Sequence, residues 1–302
     1  MAVWRERLDA CRREAAWSES AATGPSGGPV ALTSHIGLVP TMGALHAGHM
    51  SLIRRAAGEC GPAGRVAVTI YVNPLQFGAG EDLESYPRQL ETDLERAEEA
   101  GAHLVFAPAV EDMWPDAPAT TVAVSGLTAD MEGERRPGHF DGVTTIVAKL
   151  LCLTGACWAY FGEKDYQQLA VVRRMVGDLG LPVELIGCPT VRDVDGLALS
   201  SRNAYLSAEE RAVAPNLYYA LLAGKRAIED DGIDDPAGVE KVMAESLGRH
   251  APFHLDYARV ASPSDLTRPA RIGSEVRLFM AARLGRTRLI DNVDANPPAD
   301  DR

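Results

Sequence analysis

A chain of 302 residues with 46% hydrophobic and 24% charged residues can bury a sizeable core, which excludes a disordered polymer and fits one large domain or two unequal ones. Its 30 Lys and Arg stand against 42 Asp and Glu, a formal charge of −12, so a protein that coats nucleic acid with its whole surface is also excluded. A small anionic ligand is not, because it senses only its local field.

The first residues place Val3, Trp4, Leu8, Cys11 and Ala15 at helical spacing, so a helix is expected over 3–17. Its charges (Arg5, Glu6, Arg7, Asp9, Arg12, Arg13) do not read as a signal peptide, and no apolar run is long enough for a transmembrane helix. Export is not expected. The Ser-, Gly- and Pro-rich stretch 18–29 reads as a flexible loop with no assigned role. Strand and helix then alternate: strands at 35–41, 65–72, 102–108, 157–162 and 182–188, and helices at 49–60, 89–101, 143–155 and 166–180. Short apolar strands alternating with helices imply βαβ units and a mainly parallel sheet with helices on both faces.

Beyond about residue 191 the character changes. Ser207 and Glu210 fit a capping box ahead of one long helix reaching about Glu229. A helix over 236–249 and strands at 253–260, 275–284 and 287–293 follow. The expectation is an α/β domain over 1–190 and a smaller α+β domain over 191–302, closed by a polar, loose tail from Ala295. The five cysteines, Cys11, Cys60, Cys152, Cys157 and Cys188, read as buried free thiols of a reducing cytoplasm, since no Cys/His pair completes a metal site with Cys152 and Cys157.

Ligands of such sheets bind beyond the carboxyl ends of the strands, so the loops there carry the chemistry. After the first strand, His46 and His49 flank a helix start amid the small residues Gly43, Ala44, Ala47 and Gly48. A helix N-terminus offers unpaired N–H groups to phosphate, and two imidazoles there can stabilise charge on a leaving group. The bland alternative is that they only cap the helix. Neither G-x-G-x-x-G nor G-x-x-x-x-G-K-[ST] is present, which argues against a dinucleotide dehydrogenase and a P-loop kinase. After the second strand, Asn73 and Gln76 suit hydroxyl and carboxylate groups, although Asn-Pro is also an ordinary turn. After the fourth come Gly162, Glu163, Lys164, Asp165 and Gln168, where Lys164 supplies a point charge for phosphate or, alternatively, a surface ion pair. Ser200, Ser201 and Arg202 offer two hydroxyls and a forked cation; read alone, they equally make a turn.

PTMGALHAGH, YVNPLQFG, RPGHFDGV, FGEKDYQQL and DGLALSSRN, in this order over roughly residues 35–293, resemble the pantoate–β-alanine ligases (pantothenate synthetases). The resemblance implies a Rossmann-like nucleotidyltransferase domain, a smaller C-terminal lid domain, a homodimer and a cytoplasmic location. It implies that ATP, with Mg²⁺, joins pantoate to β-alanine, releasing AMP and pyrophosphate through a pantoyl-adenylate. Nucleic acid and membrane are not implied as partners. Carried over by motif, the ATP site comprises Met42, Gly43, Ala44, Leu45, His46, Ala47, Gly48, His49, Gly162, Glu163, Lys164, Asp165, Val191, Leu199, Ser200, Ser201 and Arg202. His49 is implied as the proton donor for pyrophosphate departure, with His46, Lys164 and Arg202 stabilising charge. Gln76 and Gln168 are implied to hold pantoate, and Gln76 also β-alanine, with no metal ligand assigned. Two departures stand out: Leu199 occupies the place of an expected Met, and so does Leu75. Leu for Met nearly conserves volume, so little loss is expected.

Overall fold

The structure is a computed structural model and describes residues 1–15, 36–249 and 252–298. The expected loop 18–29, the end of helix 3–17, His35 and the last four residues of the tail lie outside the described residues. In chain order the first elements are α1 (Ala2–Ala15), β1 (Ile36–Thr41), α2 (Ala47–Cys60), β2 (Arg65–Ile70), α3 (Leu90–Glu99), β3 (Leu104–Phe106) and α4 (Val110–Met113). Next are α5 (Glu132–Arg135), α6 (His139–Thr154), β4 (Cys157–Gly162), α7 (Tyr166–Asp178) and β5 (Val183–Cys188). Then follow α8 (Ala208–Val213), α9 (Asn216–Glu229), α10 (Pro236–Gly248), β6 (Phe253–Ala261), β7 (Val276–Leu284) and β8 (Thr287–Ala295).

The chain forms two compact units. One is Met1–Ser125 with Arg136–Glu163 and Val171–Pro189; the other is Gly126–Arg135 with Lys164–Ala170 and Thr190–Arg302. The first holds a five-stranded sheet in the order β3-β2-β1-β4-β5, every neighbouring pair parallel. From central β1 the chain builds outward through β2 and β3, then returns to add β4 and β5 on the other side. Strand order therefore reverses between β1 and β4, the place where open parallel sheets leave a crevice for ligands. Helices cover the sheet, so its strands are apolar on both faces: Ile36, Leu38 and Val39 of β1 and Ala159 and Tyr160 of β4 are all buried. Against them α2 turns Leu52, Ile53, Ala56 and Cys60. Full burial of each Leu or Ile in this set contributes about 2 kcal/mol. Gly37 sets how closely α2 lies on β1, since a Cβ there would stand 2.8 Å from Cys60 Sγ.

The second unit holds an antiparallel sheet, β6-β7-β8. Central β7 is covered on both faces by period-two alternation. Leu278, Met280, Ala282 and Leu284 join Leu217, Leu221, Met243 and Leu247 of α9 and α10, while Phe279 and Ala281 join Met131, Tyr257 and Leu266. Arg288 pins the 126–135 segment to this sheet through a bidentate pair with Glu132 at 2.6 and 2.7 Å, and Tyr257 donates to the same carboxylate at 2.7 Å.

Several expectations need correcting. The capping box forms, Glu210 N–H donating to Ser207 Oγ at 3.2 Å and Ser207 N–H to Glu210 Oε2 at 2.9 Å, but the single helix after it does not. Pro215 divides it into α8 and α9, because proline lacks an N–H and its ring crowds the carbonyl one turn back. Helix α6 begins at His139, four residues before its apolar run, behind Gly138 in a left-handed conformation (φ 81°). Ala295 is no loose tail residue: it is buried and pairs with Val276. Of the five thiols, Cys60, Cys157 and Cys188 are buried, whereas Cys11 is half-buried and Cys152 exposed, because Cys152 falls on the outer face of α6.

Candidate active site

In the first unit the loop after β1 is built by its own backbone and by α3. Thr41 Oγ1 accepts from Gly43 N–H at 3.2 Å and donates to Thr69 O at 2.7 Å, tying the loop to β2. Gly43 (φ 84°) and Ala44 (φ 50°) then turn left-handed in succession. For alanine that conformation costs on the order of 1 kcal/mol, so something must hold it. Asp93 does, its two carboxylate oxygens accepting from Ala44 N–H at 2.9 Å and Leu45 N–H at 2.7 Å. Arg96, one helical turn on, donates to Leu45 O.

The turn delivers the chain to α2 with His46 as N-cap. His46 Nδ1 accepts from Gly48 N–H at 3.1 Å, and His49 Nδ1 accepts from His46 N–H at 3.4 Å, a capping box made of two histidines. Their half-buried rings lie 4.1 Å apart between centroids. Capping is therefore real, and it has a chemical consequence. With each Nδ1 accepting, each neutral ring carries its proton on Nε2, which gives the helix N-terminus a pair of Nε2–H donors.

The loop after β2 is locked as tightly. Asn73 is 1% exposed; its Oδ1 accepts from Leu75 N–H at 3.3 Å, and its Nδ2 donates to Gly142 O at 3.1 Å and Gln76 Oε1 at 3.3 Å. Gln76 Nε2 approaches Met42 Sδ at 2.8 Å, so the loops after β1 and β2 meet. The RPGHFDGV segment supports Gln76 from behind. His139 Nδ1–H donates to Gln76 O at 2.8 Å, and its Nε2 accepts from Arg136 at 3.0 Å, the tautomer opposite to that of His46 and His49. Arg136 forks onto Glu81 at 2.7 and 2.6 Å. Burial pushes the Glu81 carboxyl up, but Arg136 outweighs that and holds it below the ordinary glutamate range. Gly142 lets α6 lie on this loop, since a Cβ there would stand 2.1 Å from Leu75 O. A cavity of about 370 Å³ opens beside the loops; Met42, Gly43 and Pro74 line it, but His46, His49 and Gln76 do not, so it adjoins the site.

Gly162 ends β4 and Glu163 follows it, both in the first unit, while Lys164, Asp165, Gln168, Val191 and Leu199 to Arg202 belong to the second. Lys164 Nζ pairs with Asp165 Oδ1 at 3.4 Å, the ion pair named as the alternative, with its side chain 18% exposed. Its carbonyl accepts from Asn292 Nδ2 at 2.8 Å. Next to Asn292, buried Asp291 takes both arms of Arg192 at 2.5 and 2.9 Å; burial pushes this carboxyl up and Arg192 counters it. Val191 and Leu199 face each other in a small hairpin, Leu199 N–H donating to Val191 O at 2.9 Å. Ser200 then caps a 3-10 turn over Ser201–Tyr205, its Oγ accepting from Arg202 N–H at 3.3 Å, and Asn203 Nδ2 donates to Ala198 O at 3.0 Å. Gln168 is half-buried on the first turn of α7. Its neighbour Gln167 is buried and ties down the 126–135 segment through Leu127 O, Asp130 O and Glu132 N–H.

The family model described as pantoate-beta-alanine ligase matches residues 22–294. The chain belongs to the pantoate-beta-alanine ligase family. It is 51% identical over 263 residues to a pantothenate synthetase of Thermus thermophilus, covering 87% of this chain and 94% of that one. A Dinoroseobacter shibae pantothenate synthetase is also 51% identical, over 85% of this chain and 90% of its own. Among solved structures, the T. thermophilus pantothenate synthetase superposes with a TM-score of 0.83 at 47% identity, covering 96% and 98% of the two chains. A Francisella tularensis pantoate-beta-alanine ligase, crystallised with beta-gamma ATP and beta-alanine, gives 0.71 at 30% identity and 95% of each chain.

As a pantoate-beta-alanine ligase the chain is an enzyme that joins pantoate to β-alanine, giving pantothenate. Around the residues its motifs name, this ligase uses supports that sequence reading missed: Asp93, Arg96, Arg136, His139, Gly142, Gln167, Asn203 and Asp291. For most of these there is no local signal, because each partner lies far away along the chain. RPGHFDGV was visible as a motif, but its part in holding Gln76 was not.

Proposed function

We propose that the ligation proceeds through ATP, by the adenylate route the motifs imply. The observation that carries this reading is the two-histidine capping box at the carboxyl end of β1, which places two imidazoles with Nδ1 accepting beside a helix N-terminus. The ligands crystallised with the Francisella ligase, beta-gamma ATP and beta-alanine, support it.

A carboxylate is a poor electrophile. One oxygen of the pantoate carboxylate attacks the α-phosphorus of ATP in line, the bond to the bridging oxygen breaks, and pyrophosphate leaves with the electron pair. Nε2–H of His49 donates to that leaving group, with His46, Lys164 and Arg202 assigned to the same charge. The other ATP residues, from Met42 to Gly48, Gly162, Glu163, Asp165, Val191 and Leu199 to Ser201, hold the nucleotide. The β-alanine amine then attacks the acyl carbon, the carbon–oxygen bond breaks, and AMP leaves. Gln76 keeps one amide hydrogen and one lone pair beyond its contacts with Met42 and Asn73, enough to bind pantoate with Gln168 and to reach β-alanine.

Among the described residues no cluster of three or more His, Cys, Asp or Glu fits a metal ion, so the donor set does not suit a resident cage. Mg²⁺ would enter on the ATP phosphates, as an ion that keeps most of its water. The same reading gives a homodimer in the cytoplasm, with the domain of 191–302 acting as a lid that keeps water from the adenylate. No described helix is long and apolar enough to cross a membrane.

Labelled pyrophosphate should exchange into ATP when pantoate is present and β-alanine absent. Active enzyme that makes pantothenate without this exchange would overturn the adenylate reading.

A further inference from the structure

Helix α3 lies beyond every motif that names a ligand-binding residue, yet it reaches the centre of the phosphate-binding turn. Asp93 is 1% exposed and spends both carboxylate oxygens on consecutive backbone N–H groups, those of Ala44 and Leu45. Arg96 takes the carbonyl of the same Leu45. Three polar groups of the turn are thus satisfied by one face of one helix, since residues three apart share a face.

What they hold is strained. Gly43 and Ala44 are both left-handed, and Ala44 is one of the few non-glycine residues in that region. The fit is mutual: a Cβ on Gly43 would stand 2.9 Å from Asp93 Oδ2 and 3.0 Å from Ile70 Cγ2, so the carboxylate occupies the space glycine leaves. Leu45 is followed at once by His46, whose ring and backbone complete the capping box with His49. Displacement at Leu45 therefore passes into both imidazoles with no flexible residue between.

We propose that Asp93, assisted by Arg96, is a positioning residue for the reaction: it holds the left-handed Gly43–Ala44 turn so that the Nε2–H groups of His46 and His49 point at the leaving phosphate. This rests on the adenylate reading for its catalytic consequence and on the geometry of one unit for the clamp itself. Asp93 also lines the adjoining cavity, but both of its carboxylate oxygens are spent on the turn, so its part is to position it. Glutamate would be a methylene too long for a pocket already in contact with Gly43, and asparagine would set an NH₂ against a backbone N–H.

The test compares wild type, Asp93→Asn, Arg96→Ala and Arg96→Lys in the full chain, with exposed Glu95→Gln as the control on the same helix. Two readouts are taken: pantoate-dependent pyrophosphate exchange, and amide hydrogen exchange of peptides spanning residues 42–49. Asp93→Asn should lose amide protection there and lower kcat by about 10²-fold, as misplacing reacting groups does, while KM for pantoate stays within about twofold. Arg96→Ala should do the same more weakly, and Arg96→Lys should recover most of the loss. If Asp93→Asn yields no folded protein, the arginine pair decides. Protection of 42–49 unchanged in these variants, or lost with kcat intact, overturns the proposal. Absence of pyrophosphate exchange in wild type would sink the adenylate reading, and amide protection would still decide the clamp.

Discussion

His46, His49 and His139 each have their tautomer set by a backbone group. His46 and His49 accept at Nδ1 from N–H groups and so donate at Nε2, while His139 donates at Nδ1 to the Gln76 carbonyl and accepts at Nε2. Substituting His49 by Ala should leave the fold intact and reduce pyrophosphate exchange by about 10²–10³-fold, the usual loss on removing one donor to developing charge; an unchanged rate would remove His49 from the mechanism. Glu81 gives a pH dependence of known sign. Its folded-state carboxyl is held low by Arg136, so its stabilising contribution is complete above the ordinary glutamate value and fades as pH falls through the lower folded value. Thermal melts should therefore show a shallower acid-side decline of Tm in Glu81→Gln than in wild type. The thiols differ in the same physical way. Burial pushes Cys60 up to about 11 and Cys157 up to about 12, whereas Cys152 is exposed. A thiol reagent on native protein should label Cys152 ahead of these two, and Cys152→Ser should abolish that fast label.

Among the elements, close packing on small residues decides where the loops go. Helix α6 can lie on the loop carrying Gln76 only because position 142 is glycine, its Cβ direction pointing at Leu75 O at 2.1 Å. Gly142→Ala should cost about 1–3 kcal/mol as overpacking, lowering Tm and raising KM for pantoate; a variant as stable as wild type with unchanged KM would show that the loop does not depend on this approach. The same scale explains what the sequence made legible. Buried strands such as CWAYFG have an apolar run of strand length with a helix pattern on either side, and β4 spans those residues. The Ser207–Glu210 box is a local signal and forms. Pro215 was equally local, but the apolar spacing on both sides of it suggested continuity. The start of α6 was hidden because HFDG carries no apolar period. In the sequence, capping by His46 and His49 reads as an alternative to function, whereas in the fold capping fixes their tautomers and so is compatible with it. Asp93 lies 48 and 49 residues from its partners and is one of many acids on an acidic helix, so only the folded chain distinguishes it.

At the level of the whole molecule, an acidic chain of net charge −12 is asked to use a polyanion. The groups proposed to meet that charge are local ones: a helix N-terminus, two imidazole donors, and the cations Lys164 and Arg202. The fold supplies a parallel sheet whose strand order reverses between β1 and β4, with the two-histidine turn at the carboxyl end of β1. On the proposed route pantoate is activated through its own carboxylate oxygen on the α-phosphorus of ATP. The most direct measurement uses pantoate labelled with oxygen-18 in the carboxylate, incubated with ATP, Mg²⁺, β-alanine and the enzyme, followed by mass analysis of the products. One labelled oxygen is expected in AMP and none in pyrophosphate, because the bond that breaks when β-alanine attacks leaves the pantoate oxygen on phosphorus. Label appearing in inorganic phosphate, or AMP free of label while pantothenate accumulates, would contradict it.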